Sequence, residues 1–366
     1  MATELTREQV LGYRVRAQQL DRADVALADS ASLALGVQDT GPDGARWALA
    51  SRGVDVAALG SDALVLLWTL RGAPHAYRRT DLPSIAAAIE PFSEADASKR
   101  VFDASKQLKA AGIPVLDALD TVASRLRSIV TRPMVKGEVS TELSKRLDPP
   151  YLRWCRPCQA THAYEQTFRL GASRAGLELQ EGTSPPVLAP IPGHAPAAEA
   201  AAEHDVIRSY LRLLGPATPK YVADFLDAPV RDVKALWPGD VTEVSVSDER
   251  RWMLASDESA LDAETPRIVR LLGPYDLFVQ AQDRSLLVAD KARAKTLWPV
   301  LGRPGAVLVD GEIAGWWRPR QSGAKLGLAV EIWSRATAST RRAIQQEAER
   351  LAGFRQVTLS AVDISD

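Results

Sequence analysis

The sequence predicts an α+β chain of tandem winged-helix units, each a helix–turn–helix followed by a β-hairpin, closed by a C-terminal β-rich domain. Three observations carry this expectation. Helical segments followed by a pair of strands recur along the first two-thirds of the chain, and from residue 267 short apolar strands take over. The length of 366 residues is also two to three times that of a typical domain. The expected partition is residues 1–92, 93–195 and 196–262 for the three winged helices and 263–366 for the β-rich domain.

In the first unit, apolar residues at helical spacing between charged ones predict an amphipathic helix over 6–27, with a shorter helix over 44–52. Residues 63–82 read as a strand, a tight turn containing Gly72 and a returning strand, the hairpin of a wing. The second unit is expected to hold helices over 98–110 and 114–127, another beginning at Ser140, and one after Cys158 that ends at Gly176. Its wing is LELQ, a turn and VLAPI, and the Pro/Ala-rich stretch 190–203 reads as a linker. In the third unit Gly215 stops a helix, Thr218 caps the next, Pro229 opens another, and 241–256 is strand–turn–strand. In the β-rich part Asp310-Gly311 between apolar strands is a hairpin signal, and 338–352 predicts a closing helix with Ser339 as its cap.

Composition narrows the functional classes. Hydrophobic residues at 46% and charged residues at 25% are globular averages, so a packed core is expected. The charged N-terminus lacks the apolar core of a signal peptide, and the longest apolar runs are too short to span a bilayer. Two cysteines make no disulfide framework, which points to a reducing compartment and a cytoplasmic, nucleoid-associated protein. No Gly-rich phosphate loop, HExxH or GxSxG occurs, which leaves nucleotide hydrolysis, zincin and serine-hydrolase chemistry without support.

A net charge of −1 is unlike a general DNA coat protein, but clustering matters more than the total. Residues 284–325 carry eight basic against three acidic side chains, a local excess of five positive charges that includes Arg284, Arg318, Arg320 and Lys325. The last three flank Trp316 and Trp317, a pairing of cations and rings that suits a nucleic-acid contact and equally suits core tryptophans beside solvated arginines.

Cys155, Cys158 and His162 form a C-x2-C-x3-H set. Sulfur and imidazole at this spacing suit a structural zinc, with Cys158 and His162 expected on one helix face and Glu165 or His204 as a possible fourth ligand. Reduced thiols without a metal are the other reading.

Four blocks, GVQDTGPDGARWALASR at 36–52, LWTLRGAPHAYRRTDL at 67–82, LRLLGPATPKYVADFL in the third unit and the strand–VDG–strand run beginning at Ala306, resemble the AlkZ/YcaQ group of DNA glycosylases in collinear order. The resemblance implies three winged helices around a basic channel and hydrolysis of the N-glycosidic bond of N7-alkylated purines and crosslinks in double-stranded DNA. It maps the group's catalytic Gln-x-Gln or Gln-x-Asp pair onto Gln38-Asp39-Thr40, with Thr40 at the second position and Asp39 between. On an extended segment Asp39 would face away from its neighbours, unless the turn at Gly41-Pro42 returns it or it caps the following helix.

The resemblance also places His75 at the first hairpin, where a tip histidine beside Arg78 would meet phosphates or a lesion, or would instead pack the hairpin turn. A protein that kept the scaffold and lost the water-placing pair would be a DNA-binding module or transcription regulator. No long heptad or exposed apolar helix points to an obligate oligomer, so a monomer is expected.

Overall fold

A computed structural model describes residues 3–366 and shows a mixed α/β chain with several small sheets. β1 (Thr3–Leu5) leads into α1 (Arg7–Ala17), whose start is fixed by a capping box between Thr6 and Gln9. The helical periodicity reaches residue 27, yet α1 stops at Ala17. Gln19 turns left-handed, its amide bonds the Arg16 carbonyl, and the amide of buried Leu20 bonds that of Val15, a Schellman ending. β2 (Val37–Gln38), α2 (Gly44–Ala50), and the antiparallel pair β3 (Leu64–Trp68) and β4 (Pro74–Arg78) follow.

Next come α3 (Leu82–Ala88), α4 (Glu94–Arg100), α5 (Ser105–Ala110) and the long α6 (Val115–Ile129). α6 buries Val115, Leu119, Val122 and Leu126, one helical stripe. β5 (Met134–Val135), α7 (Lys136–Ser144), β6 (Leu152–Cys155), β7 (Ala160–Ala163), α8 (Glu165–Arg174), β8 (Leu177–Leu179) and β9 (Val187–Pro190) complete this stretch. The helix expected directly after Cys158 is therefore a strand first, and it begins only at Glu165. Left-handed Gln159 turns the chain back so that β7 pairs antiparallel with β6.

α9 (Val206–Leu214), α10 (Pro219–Leu226) and α11 (Val230–Ala235) precede the hairpin β10 (Val241–Val246) and β11 (Glu249–Leu254). Thr218 accepts the Tyr221 amide at 3.2 Å, the expected cap of α10. After β12 (Val269–Leu272) come α12 (Arg284–Leu287), α13 (Lys291–Leu297), β13 (Gly305–Val309), β14 (Glu312–Ser322), β15 (Lys325–Ile332), α14 (Ala338–Phe354) and β16 (Thr358–Ser365). Asp310 and Gly311 are both left-handed, as a two-residue hairpin turn requires. α14 is capped by Thr337, which accepts the Thr340 amide at 3.1 Å, and not by Ser339, which already lies within the first turn.

The chain divides into two compact units, each assembled from separate stretches. The first comprises residues 1–59, 208–222 and 238–366. It holds the sheet β1-β10-β11 and the five-stranded sheet β12-β13-β14-β15-β16, antiparallel except for the β15–β16 pair. α14 packs Ile344, Ala348 and Leu351 against Leu271, Val307, Leu328 and Trp317 of that sheet, and Trp47 of α2 joins the same cluster.

The second unit comprises residues 60–207 and 223–237. It holds the β3–β4 hairpin, the sheet β5-β9-β8 and the separate two-stranded ribbon β6-β7 around an α6–α8 core. Gly171 on α8 lets those helices close, since a Cβ there would stand 2.6 Å from Val122 Cγ1. No helix among the described residues is long and apolar enough to cross a membrane.

Candidate functional site

The loop between β2 and α2 sets the site in the first unit. Gln38 is the end of an extended pair, and its Nε2–H donates to Thr40 Oγ1 at 3.0 Å. Asp39 points the other way: its Oδ1 accepts the Ala45 amide at 2.9 Å, in the first turn of α2. Gly44 makes room for this, because its φ is +42° and a Cβ there would fall 1.9 Å from the same oxygen. Period-two alternation thus separates the three residues, with Gln38 and Thr40 lining a pocket of about 420 Å³ and Asp39 committed to the helix.

Two buried polar arrangements hold the pocket walls. The Gly273–Asp276 turn is anchored by Asp276, fully buried, which takes both guanidinium nitrogens of Arg52 at 2.7 and 2.9 Å and also accepts the Phe278 amide. Arg52 donates further to Gln18 Oε1 at 2.8 Å, so the pair is tied into a wider hydrogen-bonded group. Opposite, Trp317 Nε1 donates to the Leu272 carbonyl at 2.9 Å, and Gly305 leaves the indole its place, since a Cβ would fall 2.2 Å from that nitrogen.

Arginines line the same pocket. Arg303 stacks 5.2 Å over the Tyr275 ring, and Arg318 lies 5.9 Å from the Trp316 ring while donating to the Gly302 carbonyl at 2.7 Å. Arg355 grips Asp43 with two nitrogens and donates to Gln321 at 3.0 Å. Arg303 and Arg318 are held by ring faces and a backbone carbonyl, which leaves their charge available to an anion.

The other expected site residues fall as follows. Arg320 and Lys325 are exposed on the β14–β15 hairpin that also carries Arg318, and Arg320 forms a solvent-exposed ion pair with Asp363 at 3.5 Å. Arg284 opens α12 and stacks 5.2 Å over Trp298. Trp317 is a core residue, whereas Trp316 is partly exposed under Arg318.

His75 does not sit at a hairpin tip, which is formed by residues 70–72. It lies within β4 opposite Leu67 with 1% of its surface exposed. Its Nδ1 is 3.0 Å from the Ala73 carbonyl and 3.1 Å from Thr69 Oγ1, and burial, then the nearby Arg71 charge, push its pKa down to about 3. A neutral, enclosed imidazole offers nothing to a phosphate. Arg78 is turned to Asp81 at 2.6 Å.

Cys155 at the end of β6, Cys158 in the turn and His162 on β7 come together with their ligand atoms all within 4.8 Å. The shared helix face expected for Cys158 and His162 is replaced by a ribbon, and neither Glu165 nor His204 joins the group. Glu165 is engaged by Lys136 and Arg169, and His204 by Ser84 at 2.8 Å and Asp81 at 3.3 Å.

Sequence reasoning missed Arg303, Arg355 and Tyr275 as pocket residues and the Arg52–Asp276 pair behind them. Arg303 lay in the basic stretch, and Tyr275-Asp276 lay beside a Gly-Pro turn. Nothing local marked Arg52, whose partner is 224 positions away.

Gln38 and Thr40 thus line one pocket with Arg303 and Arg318 and the rings of Trp47, Tyr275 and Trp317. The family model described as DNA glycosylase AlkZ-like matches residues 31–354, and the chain belongs to that family. Among solved structures, the DNA glycosylase AlkZ of Streptomyces sahachiroi is similar in fold, with a TM-score of 0.74 and 20% identity over 99% of this chain and 100% of that one. No curated protein sequence matches the chain.

Proposed function

We propose that this protein binds double-stranded DNA and hydrolyses the N-glycosidic bond of an N7-alkylated purine, with Gln38 and Thr40 placing the attacking water. The observation that carries the proposal is the hydrogen-bonded Gln38–Thr40 pair lining a pocket walled by Trp47, Tyr275 and Trp317. A purine extruded from the stack needs such a ring-lined recess. An N7-alkylated base already carries positive charge, so its departure needs little protonation, and the enzyme's task is mainly to orient water and tolerate a developing oxocarbenium ion. Two neutral polar groups suit that task. Arg303 and Arg318 would hold the phosphates flanking the extruded nucleotide, and Arg284, Arg320 and Lys325 would meet the backbone further along.

The scaffold in this reading is three tandem winged helices, residues 1–92, 93–195 and 196–262, followed by the β-rich domain 263–366, acting as a monomer. The helix–helix–helix–hairpin order of α9, α10, α11, β10 and β11 supports it for the third of these.

The test is base release from a duplex oligonucleotide containing N7-methylguanine. The wild-type protein should release the base, and Gln38→Ala and Thr40→Val should each slow release by about a hundredfold while binding the duplex normally. An inactive wild-type protein would favour a second reading, DNA binding without cleavage. One observation speaks for that reading: the only carboxylate of the loop's Gln-Asp-Thr stretch caps a helix.

A further inference from the structure

We propose that Cys155, Cys158 and His162 bind one zinc ion that closes the tip of the β6–β7 ribbon. The three donors converge from two paired strands and their turn: Cys155 pairs with Ala160 and His162 with Arg153, and the three ligand atoms lie within 4.8 Å of one another. Tetrahedral zinc with bonds of about 2.0–2.3 Å needs donors about 3.3–3.8 Å apart, a small contraction from that cluster. The side chains are partly or fully accessible, so a metal can reach them.

Two details of the surroundings favour a metal over a chance meeting of side chains. The first is the tautomer of His162. Its Nδ1 lies 2.7 Å from the Ala163 carbonyl, which can only accept, so Nδ1 carries the hydrogen and Nε2 keeps the lone pair that a metal requires. The second is the turn. Gln159, directly after Cys158, is held left-handed at φ 50°, an unusual conformation for a residue with a side chain, and its Nε2–H closes the turn on the Arg156 carbonyl at 2.6 Å. That backbone brings Cys158 back toward Cys155 just after the strand ends.

The ribbon also has a need for such a closure. Among the described residues β6 and β7 hydrogen-bond as strands only with each other; Ala163 and Leu152 tie the base of the ribbon to the α6–α8 core, and the far end has no such support. Its tip buries little: Trp154 is 61% exposed, and Arg156, Pro157, Cys158 and Gln159 are exposed as well. A metal crosslink supplies the constraint that burial does not. Two thiolates neutralise the dication, and among the described residues no fourth carboxylate, cysteine or histidine joins the group, so water or a small anion completes the coordination.

The experiment is metal analysis of the full-length protein purified under reducing conditions without added chelator, followed by zinc titration of the stripped protein against a colorimetric chelator. About one zinc per chain is expected. Cobalt in its place should give thiolate-to-cobalt charge transfer and the visible bands of a tetrahedral ion. Cys155→Ser and Cys158→Ser should each lower zinc affinity at least a hundredfold, and His162→Ala should lower it while leaving the charge-transfer band. Should the variants fail to fold, the wild-type stoichiometry and cobalt spectrum still decide. Reduced wild-type protein that neither retains nor takes up zinc overturns the proposal. So does zinc uptake that the cysteine substitutions leave unchanged, or a Cys155–Cys158 disulfide as the stable form of a protein that ignores zinc.

Discussion

Asp39 accepts the amide hydrogen of Ala45 at 2.9 Å, so the one carboxylate in the Gln38–Thr40 segment stabilises the start of α2 and turns its back on the pocket. Its removal should therefore act on stability. Asp39→Ala is expected to cost about 1 kcal/mol, the usual value of a missing N-terminal cap, in a urea denaturation series. Base release per folded molecule should fall far less than in Gln38→Ala. Full inactivation of Asp39→Ala at unchanged stability would place the carboxylate in the chemistry after all.

Gly44→Ala tests the same hydrogen bond from the other side. The left-handed backbone alone penalises a side chain by about 1 kcal/mol, and the new Cβ also meets the Asp39 carboxylate. The double substitution Asp39→Ala/Gly44→Ala should be less damaging than the sum of the two, because deleting the carboxylate removes the collision. Additive losses would show that the two residues do not press on each other.

The Arg52–Asp276 pair stands behind the pocket wall with neither side chain exposed. Arg52→Ala leaves a buried, uncompensated carboxylate, and a destabilisation of about 3–5 kcal/mol is expected in chemical denaturation. If the variant stays near wild-type stability, water must reach Asp276 and the wall is not the sealed arrangement described.

Arg318 and Arg320 project from one hairpin strand, β14. Replacing both with alanine should weaken duplex binding for every sequence. The dependence of log affinity on log salt should flatten by about 0.9 for each phosphate that is no longer neutralised. Binding that keeps its full salt slope would remove this hairpin from the DNA-facing surface.

His75 predicts an acid-side loss of stability. Its pKa is about 3 in the folded protein against the ordinary value near 6.5, so between these limits the unfolded chain binds the extra proton. Stability should fall as the pH drops below about 6, with His75 adding on the order of 1 kcal/mol per pH unit, and His75→Gln should make the acid limb shallower. An unchanged limb would mean that the imidazole is protonated, or hydrated, in the folded state.

Much of the element order was legible because its signals are local. The Thr218 cap, the Asp310-Gly311 hairpin turn and the helix over 114–127, which is α6, each depend on residues within a few turns of one another, and all three stand where the sequence placed them. The errors arise where a distant strand or a backbone conformation overrides periodicity. Residues 160–163 carry a helix-compatible pattern, yet a left-handed Gln159 returns them against β6, and the expected i, i+4 face of Cys158 and His162 disappears while the three ligands still converge. The family resemblance places His75 at the first hairpin, where it reads as a tip residue. The turn closes before it, so the imidazole faces inward.

By itself the sequence determined which segments are helices and which are hairpins over most of the chain, the excess of positive charge between Arg284 and Lys325, and the alternation that sets Asp39 apart from Gln38 and Thr40. Only the tertiary structure decided that Asp39 reaches the first turn of α2, that Arg52 finds Asp276, and that Arg303, Arg318 and Arg355 line the pocket of Gln38. The division follows from range: propensity, capping and strand alternation act between near neighbours, whereas ion pairing and burial depend on which distant stretches the folded chain brings together.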